Sequence, residues 1–462
     1  MVADLSRGGH RVFLAGGAVR DALLDNTCPP KDLDFEVYGI TYPELAEKLS
    51  AYGRVDLVGK SFGVVKLTVE GEIHDFSLPR RDSKTGAHHR DFEIQFDPAI
   101  DPREAAARRD FTINAMSWDP LTGELLDFFD GQSDLASGIL RATSDAFAED
   151  PLRVLRGMQF ACRFNLTLDP GTARKARSIA GQYSTLATER VAEEFMKWAT
   201  KSSHPGLIGE YLRDTDWLIH FPEIANLYGT PQDPQWHPEG DVGVHTMFVL
   251  DEAARVAARD GLTGDERAEL VFAALTHDFA KPATTELREK DGAMRWTSWG
   301  HEPAGGPMAR TFLERIGIKP SIRETVAKLV EHHLVHHSIA PPGQAITSRA
   351  VRRLAVRLAP ASIEQLVRLI EADASGRPPL AKGIPNGAQA LLTAAQHEAV
   401  STRPQPALIL GRHVLPYFGN KPGKQIGEIT RAAFEAQTDG AFSTEEEALG
   451  WLHQYVKSHV RN

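Results

Sequence analysis

The feature that most limits the folds open to this chain is where its strand signals stop. Short apolar or alternating runs, bounded by glycine or turn residues, recur only in the first 140 residues. They are Arg11 to Ala15 before Gly16-Gly17, Asp32 to Tyr38 (DLDFEVY), and the pair Val64 to Val69 and Glu72 to Leu78 joined at Gly71. Runs of this kind fit strands buried on one face. Helical spacing lies between them at Ala18 to Leu24, and Thr41 with Glu44 three residues on predicts a capped helix through Leu49. From about Asp150 the 3.6-residue period takes over, as in Leu152 to Phe164 and Arg190 to Ala199. The expected class is α+β: a mixed-sheet head followed by an all-α remainder.

A chain of 462 residues exceeds what one hydrophobic core holds. Turn residues cluster at Tyr228 to Gly243 (YGTPQDPQWHPEGDVG) and at Arg377 to Pro385, and histidines gather between His237 and His337. The expected division is a head over 1–140, a helical neck and body over 141–235, a histidine-rich helical domain over 236–376 and a helical tail over 377–462. The polar, basic stretch Arg80 to Arg90 (RRDSKTGAHHR) reads as a mobile loop. With 52 basic and 62 acidic residues the net charge is -10, so a nucleic-acid partner must meet a local basic patch. Two cysteines, Cys28 and Cys162, exclude a disulfide scaffold and a cysteine-ligated zinc cluster, and fit a reducing cytoplasm. No apolar run approaches the ~18 residues of a spanning helix, and no signal-peptide pattern stands at the start. A cytoplasmic protein with no membrane partner is expected; the sequence sets no oligomeric state.

The head carries the first chemistry. A strand, Gly16-Gly17 and a helix can cradle phosphates, because glycines let backbone N–H groups approach an anion at a helix N-terminus. The G-x-G-x-x-G dinucleotide fingerprint is absent, and a bare glycine pair also makes an ordinary tight turn. Asp32 and Asp34 sharpen the reading. Residues i and i+2 of a strand share a face, and two carboxylates there suit divalent cations of a two-metal site. The competing reading is an edge strand with solvated acids.

Taken together, GGAVRD at Gly16, KDLDFEV at Lys31, RRDFTINA at Arg108, EDPLRVLR at Glu149 and TERVAEE at Thr188 resemble the motifs of the class II nucleotidyltransferases. That family comprises the CCA-adding enzymes and bacterial poly(A) polymerases, and the tail segment LILGRHVLPYFGNKPGKQIGEI resembles it too. The resemblance implies a polymerase-β-like head followed by neck, body and tail. It implies that Gly16, Gly17, Arg20 and Asp21 shape a triphosphate pocket, that Asp32 and Asp34 ligate Mg²⁺, and that Asp75 is a third carboxylate. Arg108, Arg109, Asp110 and Asn114 would contact the sugar and phosphates, with Arg156 in the same nucleotide-binding set. CTP and ATP would be the substrates and the tRNA 3′ end the acceptor, with poly(A), CC-only and A-only addition using nearly the same motifs. Arg163, Arg174, Lys175 and Arg177 in the helical middle are candidates for RNA phosphate contacts, or solvated helix faces.

Asp150 and Arg153 carry the base-choice argument. Adenine and cytosine each present an exocyclic amine donor beside a ring-nitrogen acceptor, which a carboxylate and a guanidinium complement. Uracil and guanine place a carbonyl where the carboxylate needs a donor. The family resemblance assigns the two residues this templating role; by spacing alone they would equally be a surface ion pair.

His245, then His277-Asp278 in ALTHDFAKP, then Asp373 in EADASGR resemble the ordered ligands of HD metal-dependent phosphohydrolases. Imidazole and carboxylate donors suit a transition metal such as Ni²⁺, Co²⁺ or Mn²⁺. By the same resemblance His301 in GHE and His332 of the His332-His333 pair are additional ligands, and Lys281 could steady a phosphate. His336 and His337 read as surface residues. The implied activity is hydrolysis of 2′,3′-cyclic or 2′-phosphates. The alternatives are a degenerate module that only packs against RNA, and a sensor whose head binds nucleotide to regulate the histidine site.

Overall fold

The structure, a computed structural model, describes residues 1–24, 33–59, 63–84, 92–290, 292–340 and 343–459. The chain separates into two compact units, Met1–Pro222 and Glu223–Asn462. The break precedes the 235/236 boundary expected from turn composition. Residues after Pro222 are held by the second unit: Glu223 pairs with Arg315, and the carbonyls of Leu227 and Thr230 accept from Gly243 and Val242.

In the first unit, the strands are β1 (Arg11–Ala15), β2 (Asp34–Tyr38), β3 (Arg54–Gly59), β4 (Val64–Val69), β5 (Glu72–Ser77), β6 (Arg80–Lys84), β7 (Phe92–Phe96), β8 (Ser117–Trp118) and β9 (Leu125–Leu126), with β10 (Ile139–Leu140) and β11 (Thr167–Leu168) paired with each other in the helical part. Seven of these strands form one sheet in the order β3-β4-β5-β2-β1-β8-β9. Only β2 and β5 run parallel within it; the other neighbours are antiparallel. Alternation dictates the buried face: Phe35, Val37, Val65, Leu67 and Phe76 point into the core, and Phe35 stacks on Phe76 at 4.9 Å. The tight β4–β5 turn uses Glu70 and Gly71, both at positive φ, with Val69 opposite Glu72.

Two expectations for the head need correcting. The start of the basic stretch expected as a loop instead pairs as β6 with β7 in a separate antiparallel sheet, from Arg80 opposite Phe96 to Lys84 opposite Phe92. Thr41 does precede the helix Tyr42–Ser50, but its side chain makes no capping bond. Pro43 in the first turn removes one of the amides a cap would serve.

The helix Leu152–Phe164 runs over the residues where the period predicts it, and packs on Thr188–Lys201 and Ile208–Asp214. The second unit is a set of helices with one departure from the all-α expectation. Glu286–Lys290 and Ala293–Thr297 form an antiparallel hairpin, with Gly292 at φ 76° in its turn. Its strands are largely exposed, so the charged alternation ELREK gave no buried face to reveal them. The joint at Arg377 to Pro385 falls, as expected, between helices Ile363–Ser375 and Asn386–His397. Beyond it Ile409, Val414, Ile429, Phe442 and Leu452 form a separate tail core.

Gly157 shows how tightly the neck helix is set. A Cβ there would collide with Tyr211 Oη and lie 2.8 Å from Phe111 Cζ. Gly157→Ala is therefore expected to destabilise the first unit by about 1–3 kcal/mol, the range for overpacked cores. Urea unfolding followed by circular dichroism checks this; an unchanged midpoint would mean the helix can shift to accept a methyl group.

Candidate active sites

The head site is built where β1 ends. Gly16 turns the chain at φ 68°, a left-handed conformation that favours glycine, and the helix Gly17–Leu24 starts at once. A Cβ on Gly16 would sit 3.2 Å from Arg109 Nη1. The parallel register of β2 and β5 places Asp34 directly opposite Asp75, so two carboxylates from separate strands come side by side. Lys66 on β4 lies 3.1 Å from both Asp75 oxygens. Asp32 lies outside the described residues. Glu36, two residues beyond Asp34 and thus on its face, is engaged by Arg109 at 2.7 Å. Asp34 and Asp75 are hard oxygen donors of the type Mg²⁺ takes.

Beside these acids lies a buried network. The Asp110 carboxylate accepts from its neighbour's backbone N–H at Phe111 (2.8 Å), from Asn114 Nδ2 (3.0 Å) and from Arg156 Nε (2.7 Å). Burial opposes its charge, but Arg156 and Asn114 outweigh that and hold its carboxyl below the usual carboxylate range. Arg20 donates to Asn114 Oδ1 and to Asp21, and its guanidinium lies over Phe160 and Phe164. Arg109 Nη1 donates to the Asn114 carbonyl at 2.9 Å. Arg20, Asp21, Arg109, Asp110, Asn114 and Arg156 thus form one connected group, and Arg108 pairs with Glu149 at 3.2 Å on its flank.

Asp150 and Arg153 are engaged with different partners. Asp150 Oδ1 accepts from the Leu152 N–H at the helix start (3.0 Å), and Oδ2 accepts from Arg190 at 3.0 Å. Arg153 donates to the carbonyls of Ala146 and Arg108, the latter at 2.7 Å. Sequence reasoning missed Arg190: it stands 40 residues from its partner, and only its place in TERVAEE marked it. Of the candidate RNA contacts, Arg163 approaches Asp21, Lys175 pairs with Asp145, and Arg177 donates to the Asp214 carbonyl at 2.8 Å. Arg174 is exposed.

The second unit holds a buried histidine–carboxylate cluster. His245 comes from the first turn of Val242–Arg259, and His277-Asp278 follow the end of Gly264–Thr276. His301 starts His301–Arg315, His333 follows Pro320–His332, and Asp373 is near the end of Ile363–Ser375. Five helix ends therefore meet. His245 Nε2 is 3.1 Å from Asp373 Oδ1 and 3.9 Å from Asp278 Oδ2, and His301 Nε2 is 3.4 Å from Asp278 Oδ1. Asp278 Oδ2 lies 3.1 Å from His277 Nε2 and 2.7 Å from Lys281 Nζ, yet neither contact has hydrogen-bond geometry. Both Asp278 oxygens and His277 Nε2 are buried without a hydrogen-bonding partner. Buried polar atoms left so are costly, and orphaned donor atoms of this chemistry fit a transition metal.

The protonation states are mixed: against burial, the Asp373 and Glu239 carboxylates push His245 up to about 9, so its ring is held protonated. Burial would raise the Asp278 and Asp373 carboxyls, but the histidines around them, with Lys281 beside Asp278, hold both well below the ordinary range. Burial and the neighbouring His301 push His333 down to about 3, so its ring is neutral, the form that binds metal.

One expected ligand is wrong. His332 is half-buried with Nδ1 3.1 Å from the Lys328 carbonyl, and it belongs to none of the close ligand groups among the described residues. His333 takes the place: its Nε2 is 3.3 Å from His301 Nε2, and it groups with Asp278 and His301. One residue is about 100° of helix rotation, which turns His332 away where His333 faces in. His336, expected at the surface, is only partly exposed, and burial lowers it to about 4; His337 is exposed. A further group joins His237 and Glu239, inside the stretch read as a joint, to His245 on the helix that follows.

Comparison with known proteins decides the family. The poly(A) polymerase head domain matches residues 12–141, and the HD domain matches residues 242–372. The multifunctional CCA protein of Xanthomonas euvesicatoria pv. vesicatoria is 34% identical over 437 residues, covering 92% of this chain and 98% of that one. The chain belongs to the multifunctional CCA protein family. Its fold is that of the CCA-adding enzymes. The Bacillus stearothermophilus CCA-adding enzyme in complex with CTP superposes with a TM-score of 0.64 at 18% identity, covering 99% of this chain and 96% of that one. The Thermotoga maritima CCA-adding enzyme complexed with tRNA-CCA gives 0.52 at 18% identity, covering 98% and 92%. No helix among the described residues of this family member is long and apolar enough to cross a membrane.

The orphaned donors predict that metal stabilises the second unit. Mn²⁺, Co²⁺ or Ni²⁺ at about 100 times its dissociation constant is expected to add roughly 2.7 kcal/mol, and a chelator to remove it. Thermal scans with and without chelator check this; coincident curves at saturating metal would count against a metal centre.

Proposed function

We propose that the head adds CMP and AMP from CTP and ATP to the 3′ end of tRNA, completing CCA, and that the histidine cluster is a second active site hydrolysing 2′,3′-cyclic or 2′-phosphates. The observation that carries the first part is the register of Asp34 with Asp75 beside the Gly16 turn, within the unit that also holds Asp150 and Arg153. Relatives solved with CTP and with tRNA-CCA agree with these substrates.

In the transfer step, the RNA 3′ oxygen forms a bond to the α-phosphorus as the α–β bridging oxygen leaves with pyrophosphate. Asp34 and Asp75, with Asp32, would hold Mg²⁺, which supplies charge neutralisation on the triphosphate and the attacking oxygen. The chain's own residues orient the nucleotide. The Gly16-Gly17 turn and the helix after it offer backbone N–H groups to phosphate. The Asp110 network holds Arg20, Asn114 and Arg156 in place before substrate arrives, so little reorganisation is needed. Asp150 accepts from the exocyclic amine and Arg153 donates to the ring acceptor, with Arg190 steering the Asp150 carboxylate.

In the second site, His245, His277, Asp278 and Asp373, joined by His301 and His333, would hold a transition metal, which supplies Lewis acidity toward phosphate and water. Lys281 places its ammonium beside Asp278, where a substrate phosphate oxygen can share it. A cytoplasmic setting suits both activities.

Separability tests the pairing of functions. Asp34→Ala is expected to abolish transfer and leave cyclic-phosphate hydrolysis intact, while His277→Ala does the reverse. Single-turnover transfer to a tRNA lacking CCA and hydrolysis of 2′,3′-cyclic AMP are the two readouts. Transfer by Asp34→Ala at near the parent rate would remove the head assignment.

Base choice tests the templating pair. UTP sets a carbonyl against Asp150 and leaves buried groups unpaired, at roughly 1–3 kcal/mol each. Two such groups give about 10- to 10⁴-fold discrimination. Asp150→Ala should raise the UTP/CTP ratio of kcat/KM while absolute rates fall, and Arg153→Ala should impair CTP and ATP alike. Single-nucleotide incorporation with each NTP decides it: an unchanged ratio in Asp150→Ala excludes templating by this residue.

A further inference from the structure

We propose that Glu239 is the positioning carboxylate of the histidine site, fixing His245 so that Nε2 is the nitrogen turned toward the acidic centre. The inference rests on reading the cluster as a metal centre and names a residue that the H…HD…D pattern does not contain.

The argument begins with the ring nitrogens. His277, His301 and His333 each place Nδ1 against the backbone carbonyl three residues earlier, at Ala274 (2.8 Å), Ser298 (2.6 Å) and Val330 (2.8 Å). A carbonyl only accepts, so Nδ1 carries the hydrogen and Nε2 is left to the centre. His245 lacks this arrangement. The carbonyl three residues before it, on Val242, accepts from Thr246 Oγ1 at 2.7 Å. Its Nδ1 instead hydrogen-bonds the Gly376 carbonyl at 3.3 Å and lies 2.8 Å from Glu239 Oε1 in an ion pair. Glu239 therefore stands, beside the Gly376 carbonyl, where the helix backbone alone stands for the other three rings.

Glu239 also differs from those carbonyls in charge. Its side chain is fully covered, and Oε1 is shared with His237 Nδ1 at 2.9 Å, while Oε2 is buried with no hydrogen-bonding partner. A carboxylate withdrawn from water this completely is costly unless the charge is used. Behind a ligating imidazole the charge makes the ring a stronger donor, and loss of such partners typically weakens metal affinity 10–100-fold. The competing role is mechanical, with Glu239 merely tying the 237–241 turn to the helix after it.

Metal titration of the full-length protein separates these roles. Co²⁺ binding is measured by calorimetry and by visible absorption in the parent chain, Glu239→Ala and Glu239→Gln, with thermal unfolding of the metal-free proteins as the control for folding. Glu239→Ala is expected to bind Co²⁺ about 10–100-fold more weakly with an altered spectrum. The isosteric Glu239→Gln keeps an acceptor without the charge, and is expected to recover the spectrum but only part of the affinity. Nucleotide addition should be unchanged in both. Parent-like affinity and spectrum in Glu239→Ala overturn the inference and leave the metal centre standing. If that variant does not fold, parent-like affinity in Glu239→Gln overturns the role of the charge. A parent chain that binds no Co²⁺ overturns the metal reading and this inference together.

Discussion

The buried carboxylate of Asp110 is the constraint on which the head and neck both depend. It accepts one backbone and two side-chain bonds, from Phe111, Asn114 and Arg156. Through Asn114 it reaches Arg20 at the helix after the glycine turn; through Arg156 it reaches the neck helix that carries Arg153. Removing one partner of such a buried network strands the rest, so it behaves as a unit. The Gly16 turn and the helix Leu152–Phe164 are thereby tied to one carboxylate. No flexible loop has to supply that alignment.

The histidine cluster follows a different logic. Its charges are largely buried, and helix ends rather than a sheet deliver them. Helix termini leave backbone carbonyls unsatisfied, and three of the imidazoles use carbonyls near such ends to set their tautomers. The geometry thus costs no extra residues except at His245, where the carbonyl three residues earlier is already taken by Thr246.

Much of this was legible in the chain. The period change near Asp150, the Leu152–Phe164 helix and the joint after Ser375 came from residue patterns, because each rests on local chemistry. The motifs placed Asp34, Asp75, Asp110 and Asn114 in one neighbourhood, and the strand register and side-chain bonds bring them together. What stayed hidden depended on partners distant in sequence or on rotation about an axis. The choice between His332 and His333 turns on a helix phase that two adjacent histidines do not reveal. Arg190 meets Asp150 across 40 residues, so no spacing rule links them. Glu239 sat in a run of glycine and proline that reads as a connector, because turn composition describes backbone and says nothing of a side chain folded back on the next helix.

The wide spacing of the histidine-site residues has a consequence for biosynthesis. The cluster needs Glu239 and Asp373 at once, and the segments between them contribute five more side chains, His245, His277, Asp278, His301 and His333. Until the ribosome has released the helix Ile363–Ser375, His245 lacks its Asp373 partner and the cluster is incomplete. A partly synthesised chain would therefore present incomplete chelating fragments to the metal ions around it. Ordering of the helix Ile363–Ser375 then completes the cluster, so its assembly waits on a segment more than 100 residues after His245.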